Sequence, residues 1–377
     1  MSRDVPDVAV VGGGIVGAAC AYWATRAGLE VVAVERAGIG AGSTGAGTGH
    51  IVVLDHLPEL LALTAYSRRL WHEVAPSLPA AVGWRVPGTI WLANDRATAA
   101  TFDDRRRRLD GAGVRSVELD PAHLGRLEPV LAAGLAGGLW VRDDAQLDPV
   151  AAAHALWDLA GAAGARLEVG VGVRRLSDGG VELDDGRSLR ARHVIVAAGG
   201  GTPPLAPDAP VTLRKGHVLR LAPGAPPVAH VLVEAGYNDS TERPTPFALA
   251  FNAQPQPDGT VLLGSTRQSA DAGSGVDPTV VERLRERARP FAPSLADRTV
   301  TESRVGFRPA ADGPLPWIGP LPGPGSRWVA AGHEGFGVTA AMGTGRLLVD
   351  LIIGERPALP MEPYRPGRRP PTAGDGA

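Results

Sequence analysis

Two runs of consecutive apolar residues lie near the start of the chain, at Val8–Val11 and Val31–Val34. Between them, small apolar residues predict a helix that ends near Gly28, since glycine is favoured where a helix stops. Unbroken apolar runs, unlike strict alternation, are typical of parallel strands that are covered on both faces. The pattern therefore predicts a strand–helix–strand unit of a parallel sheet.

The same pattern returns later in the chain. Residues 148–173 predict a helix followed by a strand, and His193–Ala198 predicts another buried strand after a hairpin around Asp184–Gly186. A last apolar run, Trp328–Ala331, precedes a helix that begins near Val338. Together these segments predict one discontinuous domain made of residues 1–80, 146–212 and 299–357, in which a helix also covers Tyr66–Val74.

The intervening residues, 81–145 and 213–298, follow a different pattern. Short β-rich runs alternate with turn signals, and Ala81–Asp95 predicts paired strands. A helix is predicted from Pro278, with Asp277 as its N-cap. These features predict a second domain built on an antiparallel sheet with a covering helix. The run Arg105–Arg108 predicts a solvated helix face, and residues 358–377, rich in Pro, Gly and Arg, predict a disordered tail.

Composition narrows the functional classes. The 377 residues carry a formal net charge of −2, which argues against a nucleic-acid partner held by basic surface. No apolar run is long enough to predict a transmembrane segment, and no signal peptide is evident, so we expect a cytoplasmic protein. The single cysteine, Cys20, excludes an internal disulfide and a cysteine zinc site and is expected to be a buried thiol. His217 and His333 show no metal-binding spacing, so no metal is expected.

A glycine motif follows the first predicted strand. It has the form Gly12-x-Gly14-x-x-Gly17, and Glu35 ends the second strand 21 positions after Gly14. In dinucleotide-binding units these glycines allow a tight turn, close approach of backbone to pyrophosphate and close helix packing, while the acid binds ribose hydroxyls. The start of the helix, Ile15 and Val16, supplies N–H groups for the phosphates. The sequence therefore predicts a dinucleotide site.

The motif alone does not distinguish NAD from FAD. A long Gly/Ser/Thr loop, Gly38–His50, follows the second strand and offers more backbone N–H groups to a larger ligand. The absence of further strand–helix repeats directly after the motif also suits a nucleotide domain interrupted by insertions. Both features favour FAD.

The glycine motif, the Glu35-Arg36 pair and the Ser43-Thr44 loop resemble those of the D-amino-acid oxidase and glycine oxidase family of FAD enzymes. The resemblance extends to about Arg356. It implies an α/β fold (α+β overall), with a Rossmann-type FAD-binding domain and an inserted antiparallel β-sheet substrate domain. It further implies that Val173 and the turn at Ala198 and Gly199 lie at a non-covalently bound FAD.

The segment Arg304–Gly323 carries the first candidate for chemistry. Arg308 lies in an apolar, turn-rich stretch, where its planar guanidinium requires a partner. The residues alone leave two alternatives open, a substrate carboxylate and a structural ion pair with a core acid. The segment resembles the family pattern GxRPxxxDGxPxIG, which implies that Arg308 binds the substrate carboxylate, that Asp312 is the turn acid and that Gly319 lies towards the flavin.

The glycine turn near the C-terminus is the second candidate. With the phosphates assigned to the first motif, this turn is predicted to lie under the flavin ring, and the N-terminus of the helix that follows is predicted to stabilise the charge of reduced flavin. The cofactor-binding residues expected here are Gly332, His333, Gly335, Phe336, Gly337 and Val338.

Several features bear on the substrate. Relatives resembling glycine oxidase have a second arginine where this chain has Gly335, which argues against glycine itself and favours a larger substrate. Tyr237 and Asn252 are predicted to line the chamber with Gln254 and Arg267, although solvent-facing positions on the sheet remain an alternative. Lys215 is expected to be a surface or inter-domain lysine rather than a cation beside the flavin.

These features predict oxidation of the Cα–N bond of a D-amino or cyclic imino acid by hydride transfer to FAD, as in D-proline or cis-4-hydroxy-D-proline dehydrogenases, which the chain resembles. The alternatives are a glycine- or sarcosine-type N-alkyl amino acid oxidase, the catalytic flavin subunit of a multi-subunit amine dehydrogenase, and an aromatic-hydroxylase-type flavoprotein. The expected electron acceptor is oxygen, a quinone or a partner flavoprotein. The chain is expected to be a homo-oligomer or a subunit of a hetero-oligomer.

Overall fold

A computed structural model describes residues 5–237, 247–269, 273–323 and 325–368. Its helices are α1 Ile15–Arg26, α2 Ser43–Ala46, α3 Pro58–Val74, α4 Arg96–Ala99, α5 Phe102–Gly111, α6 Pro121–Leu127, α7 Pro149–Ala162, α8 Pro278–Ala288, α9 Pro293–Ala296 and α10 Gly337–Ile352. Its strands are β1 Val8–Val11, β2 Val31–Glu35, β3 His50–Ile51, β4 Thr89–Ala93, β5 Ser116–Leu119, β6 Gly137–Val141, β7 Ala145–Gln146, β8 Arg166–Val169, β9 Val173–Ser177, β10 Gly180–Leu183, β11 Ser188–Arg190, β12 His193–Val196, β13 Val211–Leu221, β14 Val231–Glu234, β15 Phe247–Pro255, β16 Val261–Ser269, β17 Val300–Ala311, β18 Trp317–Pro320 and β19 Ser326–Ala331.

The first of two large sheets has the strand order β18-β19-β12-β1-β2-β8. All its pairs are parallel except β18 with β19. Val8 and Val10 of β1 belong to the core beneath the helices, whereas Ala9 and Val11 belong to a core shared with β10. Both faces of the strand are therefore covered, which explains the unbroken apolar run and confirms the predicted parallel unit.

Small residues bring the helices over this sheet close together. α1 packs against α7 and α10. A Cβ on Gly345 of α10 would lie 2.8 Å from the backbone of Ala19 in α1, so this crossing requires glycine. Cys20 lies in the same contact, and burial raises the pKa of its thiol to about 12. The expected buried, structural cysteine is confirmed.

The second large sheet has the order β17-β13-β16-β15-β14-β4-β6-β5. It is antiparallel except for the parallel pair β14 and β4. The predicted covering helix is present as α8, and its Asp277 N-cap accepts the N–H of Thr279 at 2.9 Å. Val280 and Leu284 of this helix pack into the core below the sheet.

Several predictions about individual elements are wrong. Ala81–Asp95 does not form paired strands: Thr89–Ala93 is a strand that pairs with the distant strands β6 and β14, and Arg85 forms an isolated bridge with Gln146. Strand β17, assigned from its sequence to the cofactor domain through the boundary at 299, pairs with β13 in the second sheet. The predicted helix Tyr66–Val74 begins earlier, at Pro58, because proline suits a first helical turn. Segment 38–50 contains the short helix α2.

The arginine run and the tail also differ from prediction. Arg105 is buried and binds Asp55 through Nε and Nη2, at 2.9 and 2.8 Å, so only part of the run is solvated. Arg108 reaches the same carboxylate at 3.1 Å. In the tail, Tyr364 is buried and its hydroxyl donates to the carbonyl of Glu59 at 2.7 Å. The described part of the tail is therefore packed as far as 368, while residues 369–377 lie outside the described residues.

Candidate active site

A cavity of about 1210 Å³ is lined by residues of both large sheets. This volume exceeds the upper range of about 1,000 Å³ for ordinary small-molecule pockets, so it has room for a large cofactor and a substrate. Apart from Gly17 and Gly319, the residues predicted from the sequence to lie at the cofactor all line it; a Cβ on Gly319 would instead meet Pro366 and Arg365. Their roles in binding stay predictions, but the structure places them together.

The N-terminal glycines differ in what they do. Gly12 has φ +116°, and a Cβ there would lie 2.4 Å from the carbonyl oxygen of Ala197, so β1 can approach the turn after β12 only with glycine. A Cβ on Gly17 would lie 2.0 Å from the carbonyl oxygen of Gly12, which explains why Gly17 packs behind the turn rather than lining the cavity. Gly14, Ile15 and Val16 expose the start of α1 to the cavity. The N-cap residue Gly14 has no side chain to accept the first N–H groups of this helix, which leaves those of Val16 and Gly17 for an anion.

Residues at the end of β2 and in α2 support this turn. The Glu35 carboxylate accepts the N–H groups of Gly13 and Ala37, at 2.6 and 2.8 Å. A carboxylate has about four acceptor positions, so Glu35 keeps acceptor positions for the predicted ribose contact. Thr44 Oγ1 accepts the N–H of Ile15 at 3.1 Å, which ties the loop after β2 to the start of α1. Arg36, Ser43, Val173, Ala198 and Gly199 complete this end of the cavity lining.

The C-terminal turn lies against the end of β17. Gly332 has φ +80°, and its carbonyl accepts the N–H of Ala311 at 3.1 Å. A Cβ on Gly332 would lie 2.8 Å from the Ala311 Cβ, so the close contact requires glycine. His333 is buried and Nε2 lies 2.9 Å from Thr344 Oγ1. Burial lowers the pKa of His333 to about 4, which keeps the ring neutral near pH 7.

The start of α10 continues this wall of the cavity. Gly335 and Phe336 lie in a short 3-10 turn that leads into the helix at Gly337, and both line the cavity with Gly337 and Val338. No side chain caps α10 at Phe336. A second helix N-terminus therefore meets the cavity, as the sequence predicted.

Arg308 projects into the cavity from β17. Its Nη1 donates to the carbonyl of Thr266 at 2.7 Å, and no carboxylate among the described residues forms an ion pair with it. The guanidinium lies over Gly216 of β13, where a Cβ would be 2.5 Å from both terminal nitrogens. Among the described residues, the structural ion pair left open by the sequence is absent, and the cation faces the cavity.

Comparison with known proteins identifies the family. The model of the family described as "DAO: FAD dependent oxidoreductase" matches residues 7–351. The chain belongs to this family of FAD-dependent oxidoreductases. It is 28% identical to a glycine oxidase of Pseudomonas aeruginosa, over 96% of this chain and 99% of that protein. It is 26% identical to a D-amino acid dehydrogenase of Methylobacterium radiotolerans, over 96% and 99% of the two chains. The crystal structure of an iminodiacetate oxidase from Chelativorans sp. BNC1 superposes with a TM-score of 0.80, at 28% identity and with 95% and 98% of the chains covered.

The residues present fit FAD, the cofactor of this family. FAD has a pyrophosphate for the start of α1 and an isoalloxazine ring that requires a second, separate wall. The cavity has both, since Gly12 and Gly14 line it at one part and the turn Gly332–Gly337 at another. When bound, FAD supplies the capacity to accept a hydride, and the surrounding residues supply orientation and charge.

The predicted chamber residues have different outcomes. Asn252, Gln254 and Arg267 line the cavity, so the solvent-facing alternative is wrong for them. Gln254 Nε2 donates to Asn252 Oδ1 at 3.1 Å and to Thr48 Oγ1 at 3.0 Å, which fixes both amides. The side chain of Tyr237 lies outside the described residues, so its predicted role stays a prediction.

Of two basic residues, Lys215 is more buried than expected, whereas His50 is the packed polar lining residue that the sequence predicts. Lys215 is 1% exposed in the middle of β13, so the surface alternative is wrong. His50 lines the cavity with Nε2 2.8 Å from Thr89 Oγ1, and burial lowers its pKa to about 3. Its neutral ring is a packed polar group of the lining.

Three lining residues were missed by sequence reasoning. Gly216 makes room for Arg308, His56 has a buried Nδ1 without a partner in the structure, and Glu334 forms an ion pair with Arg267. The only sequence signal was Glu334 itself, a charged residue inside a turn otherwise rich in glycine. The other two depend on strand register and on a loop path.

The described residues were compared with the requirements of a metal site and of a membrane-spanning helix. Across the described residues, no group of three or more His, Cys, Asp or Glu side chains could hold a metal ion. One described stretch, Glu334–Ile352, is long and apolar enough by composition to cross a membrane, but 67% of it is buried in the protein. Its contacts with α1 and α3 are those of a core helix.

Proposed function

We propose that this protein oxidises the Cα–N bond of a D-amino or cyclic imino acid of the D-proline or cis-4-hydroxy-D-proline type, and that Arg308 binds the substrate carboxylate. The observation that carries the proposal is the Arg308 guanidinium, directed into the cofactor cavity and paired only with a backbone carbonyl among the described residues. Its remaining donors suit a two-point contact with a carboxylate.

The surroundings of Arg308 support a substrate larger than glycine. A Cβ on Gly335 would lie 3.8 Å from Arg308 Cδ and Nε, so any longer side chain there would enter the space beside the guanidinium. With glycine at this position, that space is left for the substrate. Trp91 and the fixed amides of Asn252 and Gln254 line the same cavity, which suits a ring that carries one hydrogen-bonding substituent.

The chain's own groups have two tasks in this reaction. Arg308 fixes the carboxylate and thereby the orientation of the Cα–H bond, and the buried neutral rings of His50 and His333 add no positive charge that would repel the cationic product. As hydride leaves Cα, the nitrogen lone pair forms the C=N bond of an imine or iminium, which water then hydrolyses where the amine is primary. No side chain has to take a proton if the amine binds in its neutral form.

The decisive experiment is anaerobic reduction of the bound flavin by a panel of amino acids, with the flavin absorbance as the readout. The panel contains D-proline, cis-4-hydroxy-D-proline, D-alanine, glycine, sarcosine and their L-enantiomers where these exist. We expect the two D-imino acids to give the highest kcat/KM, and Arg308→Ala to lower kcat/KM for every member of the panel, since each has a carboxylate that Arg308 would bind. Equal rates for the unaltered protein and Arg308→Ala would refute the proposal.

A second candidate function is oxidation of glycine or sarcosine. The glycine oxidase of P. aeruginosa, which covers nearly the whole chain, favours it. It predicts that glycine or sarcosine, rather than a cyclic substrate, reduces the flavin fastest in the same panel. Readmission of air then tests the electron acceptor: rapid reoxidation indicates an oxidase, and slow reoxidation a quinone or a partner flavoprotein.

A further inference from the structure

A second arginine lies in the chamber, and the chain itself provides a carboxylate for it. Arg267 Nε donates to Glu334 Oε1 at 2.5 Å, and the two side chains are 12% and 20% exposed. Both residues line the main cavity. The ion pair is therefore part of the wall that a substrate meets, rather than of the outer surface.

Each residue of this pair is the sequence neighbour of a residue that lies against Arg308. The carbonyl that accepts from Arg308 belongs to Thr266, the residue before Arg267. The glycine that leaves room beside Arg308, Gly335, is the residue after Glu334. His56, in the loop after β3, lines the same cavity as this pair, and burial lowers its pKa to about 4.

The backbone at Glu334 is unusual. It has φ +50°, the only described non-glycine residue with positive φ, and this conformation is disfavoured for residues with a Cβ. Glycines lie close by on both sides, at Gly332 and Gly335, so a glycine would be the relaxed choice here as well. A strained conformation at a ligand site indicates that the side chain itself is required. What that side chain does in the structure is neutralise Arg267.

The balance of charges in this chamber indicates how many substrate carboxylates it accepts. Arg308 and Arg267 contribute two positive charges and Glu334 one negative charge, which leaves one cation for one substrate carboxylate. The other charged lining residues among those described, Glu35, Arg36, Arg214 and Asp312, contribute two charges of each sign and do not change this balance. A second substrate carboxylate would meet Glu334 in place of a vacant guanidinium, and like charges in a poorly solvated site repel strongly. Resting on the proposed carboxylate-binding role of Arg308, we propose that Glu334 occupies the position of a second substrate carboxylate and makes the chamber selective for monocarboxylates.

The proposal depends on Glu334 rather than on an isolated Arg267. Arg267 takes part in at least one further interaction. Substitution of Glu334 nevertheless removes one negative charge from the chamber wall, whatever else Arg267 contacts. A specificity change that requires both residues would then identify the guanidinium as the group that receives the second carboxylate.

The test measures binding of two unreactive acids to the FAD-loaded protein through the change in flavin absorbance. Succinate and succinamate have nearly the same shape and differ by one carboxylate charge. We expect the unaltered protein to bind succinamate more tightly. In Glu334→Gln the ratio of the two dissociation constants should shift towards succinate by about tenfold or more, as expected for one charged hydrogen bond. In the double variant Glu334→Gln/Arg267→Gln this gain should disappear.

Glu334→Gly provides an independent variant, because it removes the same carboxylate and relieves the positive φ. It should show the same shift even if Glu334→Gln loses its flavin. An unchanged ratio in the variants, with succinamate still bound, would overturn the role of Glu334 and leave the proposed function intact. Failure of the unaltered protein to bind succinamate at all would instead count against Arg308 as the carboxylate site, and thereby against both proposals.

Discussion

Gly216→Ala places a methyl group beneath the proposed carboxylate-binding arginine. The direct cross-strand partner of Arg308 in β17 is Arg214 of β13, so Gly216, two residues further along β13, lies diagonal to Arg308. A Cβ on Gly216 would lie 2.5 Å from both terminal nitrogens of Arg308 and 2.7 Å from Cζ. Ordinary contacts begin near 3.4 Å, so the guanidinium must move by about 1 Å.

The expected cost follows from that displacement. A misplacement of about 1 Å in a substrate-orienting group lowers activity by about 100-fold. Since the guanidinium is at the end of a flexible side chain, rotamer changes absorb part of the shift. We therefore expect kcat/KM to fall by about 10- to 100-fold, which corresponds to about 1.4–2.7 kcal/mol of transition-state stabilisation.

The assay is anaerobic flavin reduction with the best substrate of the panel, with flavin content measured on the denatured protein. Gly125→Ala in α6 is the control, because a Cβ there would meet nothing within 4 Å. We expect this control to remain within about twofold of the unaltered protein. If Gly216→Ala also stayed within that range at full flavin content, the inference that Arg308 must occupy its present position would be refuted.

Three further predictions concern the N-terminal glycine turn, a buried ion pair and stability at acid pH. Gly17→Ala, with its Cβ 2.0 Å from a backbone oxygen, should lower flavin content and melting temperature, whereas Gly161→Ala in open space should lower neither. Asp55→Asn leaves a buried guanidinium unpaired and should lower the free energy of unfolding in urea by about 3–5 kcal/mol. The exposed Asp103→Asn should leave the free energy of unfolding nearly unchanged. The pKa of His50 is about 3 in the folded chain, below its unfolded value of about 6.5, so its contribution is complete above pH 6.5 and is lost as pH falls towards 3. His50→Gln should therefore unfold at a lower pH, as followed by circular dichroism.

The parts of the site that sequence reasoning located are those fixed by local backbone requirements. Gly12 must adopt φ +116° next to Ala197, and Gly332 must adopt φ +80° next to Ala311. Only glycine satisfies such positions without strain, so each leaves a mark in the sequence at a short, regular spacing. Buried parallel strands leave an equally local mark, the unbroken apolar run.

The parts that were missed depend on contacts between distant segments. Arg105 and Arg107 are neighbours in one charged run, yet Arg105 is buried against Asp55 while Arg107 is exposed. Their helix positions alone do not reveal that an acid from the loop after β3 arrives at one face. Strand β17 lies in the stretch 299–357, which the sequence groups with the cofactor domain, yet it pairs with β13 of the second sheet, a long-range choice that its own sequence does not encode.

The short helix α2 explains why cofactor-binding and substrate-binding residues occupy one cavity. At one end, Thr44 Oγ1 accepts the N–H of Ile15 at the start of α1. On its other side, Ser43 Oγ donates to the carbonyl of Phe307 at 2.7 Å, directly before Arg308. Ala46 packs on the same strand so closely that a Cβ on Gly306 would lie 2.5 Å from it. One turn of helix therefore sets the distance between the N-terminal glycine turn and Arg308. At this point α2, rather than a direct contact between the two sheets, fixes their relative position.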